Sequence, residues 1–175
     1  VVFYNHRYGN LWRKTRLRIF VFAFVLLLTG CGTTGWARLQ PLQCVPYARD
    51  VSGIEIYGDA HTWWDKAGKH PQYARGKMPV KGSVLVLSKT GRLQYGHVAV
   101  VERVLNKREI EVTHVNWGQD QWDRRKVYRG MLVQDVSRKN DWSRLQFWSP
   151  EAESFGRTYQ ASGFVYEKRD ALALN

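Results

Sequence analysis

The sequence has little cysteine. Only Cys31 and Cys44 occur in 175 residues, which excludes a small fold stapled by several disulfides. There is no CxxC pair and no HExxH run. The common zinc-ligand spacings are therefore missing, and neither a metal nor another cofactor is expected. Long apolar stretches are missing as well. The longest, residues 19–28, has ten residues, about 15 Å of helix and half the hydrocarbon thickness of a bilayer. Acidic side chains are absent from the first thirty residues, which carry five basic ones, and this leaves 22 Lys plus Arg against 15 Asp plus Glu in the remainder. That excess is scattered. Its longest block is Arg124-Arg125-Lys126, too little for a nucleic-acid footprint, and no nucleic-acid partner is expected. Internal repeats and low-complexity tracts are also lacking.

What is present at the N-terminus reads as an address. Arg7, Arg13, Lys14, Arg16 and Arg18 precede the apolar run, the order of a secretory signal. Leu28-Thr29-Gly30-Cys31 resembles the lipobox of bacterial lipoproteins, in which the cysteine is lipidated and becomes the first mature residue. Residues 1–30 are then the signal, and Cys31 carries a lipid anchor into the membrane. The alternative is ordinary cleavage after Gly35-Trp36-Ala37. Either way the chain is exported to the cell envelope. The lipid-anchored form faces the periplasm, and Gly32, in place of the Asp that retains lipoproteins at the inner membrane, favours the outer membrane.

About 140 residues remain, enough for one domain with one core. A hydrophobic content of 44% and an aromatic content of 14% exclude a disordered chain. Residues 42–52 read as a helix closed by Gly53, with Pro46 tolerated in the first turn. Asp59 is the expected N-cap of a second helix, residues 60–67, stopped by Gly68. Residues 69–82, with Pro71, Gly76, Pro79 and Gly82, read as loop. The period then changes to two. Strands are expected at 83–88, 95–105, 109–117, 126–133 and 145–148, with 163–167 as a last edge. Helices followed by antiparallel strands indicate an α+β fold, with the N-terminal helices packed on the sheet.

Cys44 opens the first helix and has no evident disulfide partner. In an exported chain such a thiol is either incidental or a nucleophile. The hairpin between residues 95 and 117 can be counted. With Asn106-Lys107 as the loop, paired positions sum to 213, so His97 faces Asn116 and Ala99 faces His114. Residues two apart share a face of a strand. One face thus carries His97, Ala99 and Val101 beside Ile110, Val112, His114 and Asn116, polar at one end and apolar along its floor. A loop of odd length would slip the register and separate the histidines. A thiolate is favoured at a helix N-terminus, an imidazole can take the thiol proton, and a further polar residue can orient that imidazole. Cys44, His97 and His114 fit these roles. Asn116 is the other possible orienter, and the Cys44 N–H is a candidate oxyanion donor.

These residues sit in segments that resemble the CHAP domain, the cysteine- and histidine-dependent amidohydrolase/peptidase family of bacteria and their phages. The matching pieces are Cys44-Val45-Pro46-Tyr47-Ala48-Arg49, Gly58-Asp59-Ala60 before Trp63-Trp64, and Pro79-Val80-Lys81-Gly82-Ser83-Val84. They continue with Gly96-His97-Val98-Ala99-Val100-Val101-Glu102 and Ile110-Glu111-Val112-Thr113-His114-Val115-Asn116-Trp117. The resemblance spans residues 39–149, with 150–175 a C-terminal extension of the same domain. It implies a papain-like, NlpC-like fold, Cys44 as nucleophile and His97 as base, and no catalytic metal. Many family members carry Glu where this chain has His114, although related NlpC-type enzymes use His there. The implied partner is peptidoglycan. The implied reaction is cleavage of an amide bond, with N-acetylmuramoyl-L-alanine amidase leading. A stem-peptide endopeptidase and a catalytically silent cell-wall-binding lipoprotein are the alternatives. Of eight tryptophans, Trp117, Trp63 and Trp64 are the candidates for substrate contact, and the basic loop 118–125 is expected to border the cleft.

Overall fold

The computed structural model describes residues 42–172; the signal segment, Cys31 and the first residues of the expected domain lie outside them. The order is α1 (Cys44–Ser52), a 3-10 turn (Ala60–Thr62), α2 (Trp63–Lys69), β1 (Tyr73–Gly76), β2 (Val84–Leu87), β3 (His97–Val104) and β4 (Glu109–Val115). A second 3-10 turn (Asp123–Arg125), β5 (Val127–Asp135), β6 (Arg144–Ser149), β7 (Ser154–Glu167) and α3 (Lys168–Leu172) follow.

The strands form one antiparallel sheet in the order β1-β7-β2-β3-β4-β5-β6, and β6 pairs again with β7. Six strands therefore close into a barrel. The closing element is β7, whose 14 residues are shared among three neighbours. Residues 154–160 pair with β6, residues 161–165 with β2, and Phe164 to Glu167 also with β1. This closure overturns the expected α+β, papain-like and NlpC-like arrangement of N-terminal helices packed on an antiparallel sheet. The expected edge at 163–167 is the end of a strand that begins at Ser154, and it contributes Phe164 and Tyr166 to the barrel interior and Val165 to the cluster beneath the helices. The C-terminal extension is thus a wall of the barrel. β1 is a further element inside the stretch expected to be loop.

Alternation sorts the strand residues into two apolar clusters. Leu85 and Leu87 of β2, Ala99 and Val101 of β3, Ile110 and Val112 of β4 and Met131 and Val133 of β5 fill the barrel with Phe147, Phe164 and Tyr166. The alternate residues Val84, Val86, Val98 and Val100 point outward, where Ala48, Ala60, Trp63 and Ala67 of the short helical segments cover them. The helices therefore lie on the opposite face from the one that carries the histidines. α1 ends as expected at Gly53, which adopts φ 74° and donates its N–H to the Arg49 carbonyl. α2 differs from expectation: Asp59 makes no side-chain cap, and the helix runs through Gly68 to Lys69.

Candidate active site

α1 buries little of its own surface, with Ala48 its one fully buried residue. Its hold on the barrel is polar. The Tyr47 hydroxyl lies 2.7 Å from Thr113 Oγ1, and that hydroxyl donates to the Tyr128 carbonyl at 2.9 Å. Tyr47 is three residues past Cys44, so this tie fixes the rotation of the helix and brings its first turn to the barrel rim. There the backbone N–H groups of Val98, Val45 and Cys44 itself face the sulfur. Val98 directly follows His97. Burial raises the Cys44 thiol above its ordinary value, and these N–H groups oppose that shift without cancelling it. The resting sulfur is therefore a thiol at neutral pH.

His97 opens β3 on the inward face. The preceding Gly96 adopts φ 69°, and a Cβ there would lie 2.7 Å from both the His61 nitrogen and the Leu87 oxygen. The His61 N–H donates to the Tyr95 carbonyl at 3.0 Å, so the segment before α2 braces the turn that presents His97. Inside the barrel mouth His97 Nε2 lies 2.8 Å from His114 Nδ1, and His114 Nε2 lies 3.1 Å from Met131 Sδ. Trp117, Tyr128 and Phe147 pack on His114 at ring-centroid distances of 5.3, 5.5 and 5.6 Å, and Trp117 packs on His97 at 4.7 Å. Both histidines are buried. Burial pushes His97 down to about 3, and it holds His114 well below its ordinary value, with the charge of a protonated His97 adding to the effect.

Cys44 and His97 line one cavity of about 1180 Å³, together with Gln43, Asp59, Asn116 and Trp117. The loop residues Gly118, Gln119, Asp120, Asp123 and Arg124 form part of its border. Among the described residues no hydrogen bond joins the sulfur to the imidazole. The shared cavity and the Val98 N–H against the sulfur bring the two groups to the same rim. Catalytic hydrogen bonds in a site without substrate are often long.

The other candidates divide. Asn116 leaves the strand with φ 57°, and its Nδ2 donates to Gln43 Oε1 at 3.2 Å rather than to His97. The hydrogen-bond partner of His97 is His114. Trp117 caps the barrel mouth and faces the cavity. Trp63 is fully buried, with its indole N–H unpartnered among the described residues, so it offers no surface to a ligand. Trp64 lies under the Arg75 and Lys77 side chains, away from the cavity. Sequence reasoning passed over Met131, Tyr128, Phe147 and Tyr47. For Tyr47 a signal existed, since a helical Tyr three residues after the nucleophile shares its face. Met131 and Tyr128 come from β5, which pairs with β4, and Phe147 from β6 beyond it, and no local pattern reveals either pairing.

Residues 34–116 match the CHAP domain family. The match supports the resemblance read from the sequence and indicates a peptidoglycan-hydrolase family, typically amidohydrolases and peptidases. Solved structures similar to the chain include the following two. "The crystal structure of Ly7917" shares 13% identity over 71% of this chain and 85% of that one, with a TM-score of 0.34. "The crystal structure of Ly7917 with the hydrolyzing product of MDP" shares 13% over 69% and 82%, with a TM-score of 0.28. Likeness at that level decides neither fold nor function. No curated protein matches the sequence.

Proposed function

We propose that this protein is an exported peptidoglycan hydrolase that cleaves an amide bond through a thioester at Cys44. The observation that carries the reading is the convergence of Cys44, at the first turn of α1, and His97 on one cavity, with His114 hydrogen-bonded behind His97. The size of that cavity suits an extended polymer segment better than a small metabolite, whose pockets commonly span about 300–1000 Å³. His97 takes the thiol proton as the sulfur attacks the amide carbonyl carbon. The Cys44 N–H faces the developing oxyanion. His97 then returns the proton to the departing amine, and water, activated by the same imidazole, hydrolyses the thioester. A resting pair of neutral thiol and neutral imidazole makes proton transfer part of the attack rather than a prior step.

The bond is that between muramic acid and L-alanine, which makes the enzyme an N-acetylmuramoyl-L-alanine amidase. The sequence pattern around Cys31 supports a lipid-anchored protein facing the periplasm from the outer membrane. The test is mass analysis of products released from purified peptidoglycan, with Cys44→Ala as control. Intact stem peptides with a free N-terminal L-alanine are expected. Shortened stems would replace the amidase by an endopeptidase, and no release by the wild-type protein, with binding retained, would make it a silent wall-binding module.

A further inference from the structure

The two hydrogen bonds in the barrel mouth have a direction, and Met131 sets it. A thioether sulfur has no proton and can only accept. At 3.1 Å from Met131 Sδ, His114 Nε2 is therefore the protonated nitrogen, and His114 Nδ1 carries the lone pair. That lone pair lies 2.8 Å from His97 Nε2, which must then be protonated in turn. His97 Nδ1 is left as a lone pair. The opposite arrangement puts a proton on His114 Nδ1, a lone pair against the Met131 sulfur and a proton on His97 Nδ1, where it blocks the imidazole from acting as a base at that nitrogen. We infer that Met131 is a positioning residue, whose sulfur selects, through His114, the His97 tautomer able to accept a proton at Nδ1.

The chain invests in placing that sulfur. Opposite His114, β5 carries a bulge: Val112 pairs with Met131, but His114 pairs with Tyr128. Without the bulge Tyr128 and Met131, three residues apart, would point to opposite faces of the strand. With it, both pack around His114. The bulge contains Gly130 at φ 62°, and the Gly130 N–H donates to the Glu102 carboxylate. Glu102 is itself the unpaired residue where the β3–β4 register shifts. Two bulges on different strands are thus joined by one hydrogen bond, with Met131 next in the chain.

This inference rests on the cysteine-hydrolase reading of the site, and its experiment separates the two. In the wild-type protein labelled with 15N-histidine, the imidazole shifts of His97 and His114 should show Nε2 protonated and Nδ1 bare in both. Met131→Leu removes the acceptor at similar volume. It should shift His114 toward a tautomer mixture and lower kcat up to about tenfold, the worth of one modest hydrogen bond, with KM little changed. Met131→Gln, which restores an acceptor oxygen, should recover the wild-type tautomer. A wild-type spectrum with the proton on His97 Nδ1 would overturn the inference. So would a folded Met131→Leu protein with both tautomers and kcat unchanged. The wild-type tautomers without any release from peptidoglycan would instead sink the proposed function and leave the role of Met131 standing.

Discussion

Two buried neutral histidines make the fold sensitive to mild acid. An unfolded His takes up a proton near pH 6.5, whereas His97 resists protonation down to about 3 and His114 well below its ordinary value. The folded state therefore binds fewer protons than the unfolded state between those limits. The stability these groups confer is complete above about pH 6.5 and declines as the pH falls toward the folded values. Between pH 7.5 and 5.0 His97 alone should cost about 2 kcal/mol, and His114 adds to the loss in the same direction. Most carboxylates remain ionised over that interval and add little. The assay is urea unfolding followed by tryptophan fluorescence. With an m-value of about 2 kcal/mol per molar, the midpoint should fall by at least about 1 M from pH 7.5 to 5.0. The double variant His97→Gln/His114→Gln should start less stable but keep a nearly level midpoint over the same range. A wild-type midpoint that moves by less than about 0.5 M would refute the reasoning, as would a double variant with the wild-type slope.

Alkylation of Cys44 by iodoacetamide should quicken about tenfold per pH unit from pH 6 to 9, because the half-buried thiol ionises above its ordinary value and only the thiolate reacts; a rate plateau below pH 7 would instead reveal a preformed thiolate–imidazolium pair. Gly96→Ala should cost at least about 2 kcal/mol by thermal unfolding and abolish peptidoglycan release, since its Cβ would meet backbone on two sides at a left-handed φ. Asn116→Ala should change turnover less than about threefold, as its amide reaches Gln43 rather than His97, while the left-handed backbone at residue 116 costs about 1 kcal/mol of stability.

Much of the outer half of the fold was legible in the sequence. The first helix, its Gly53 stop and strands β2 to β6 follow from local patterns that burial reinforces, because each alternates between the barrel interior and a surface covered by helices or solvent. The barrel itself was not legible. Its closing strand begins with Ser154-Phe155-Gly156-Arg157, a polar stretch with a glycine in which Phe155 is half-buried and the other three residues are exposed, so it carries little of the period that marks a strand. What makes it a strand is pairing with β6, a non-local fact. The same blindness applied to Met131 and Phe147. Each reads as an ordinary core residue, and only the pairing of β5 with β4 and of β6 with β5 carries them beside His114.

The hairpin that brings the histidines together held a subtler problem. The loop is not the expected pair Asn106-Lys107. The Leu105 N–H donates to the Glu109 carbonyl, and Arg103 pairs with Glu111 and Val104 with Ile110, positions that sum to 214 and enclose a three-residue loop. An odd loop of that kind should have put His97 and His114 on different faces. It does not, because the register shifts at Glu102, and beyond it Val101 pairs with Val112 and Val100 with Thr113, positions that sum to 213. The extra loop residue and the bulge cancel. His97 and His114 therefore share a face as expected, although the loop expected to align them is not the one observed. The expected loop was set by local residue preference, whereas the observed register is held by burial. Of the two faces of β3 only one can place Ala99 and Val101 against Ile110 and Val112 inside the barrel, and a one-residue slip between the strands would turn one of these two pairs outward. Burying them stabilises the aligned register by several kcal/mol, more than a bulge costs. Glu102, the residue displaced by the compromise, is the one whose carboxylate holds Gly130 and thereby the bulge beside Met131. The correction of the register and the placement of the His114 partner are thus one structural event.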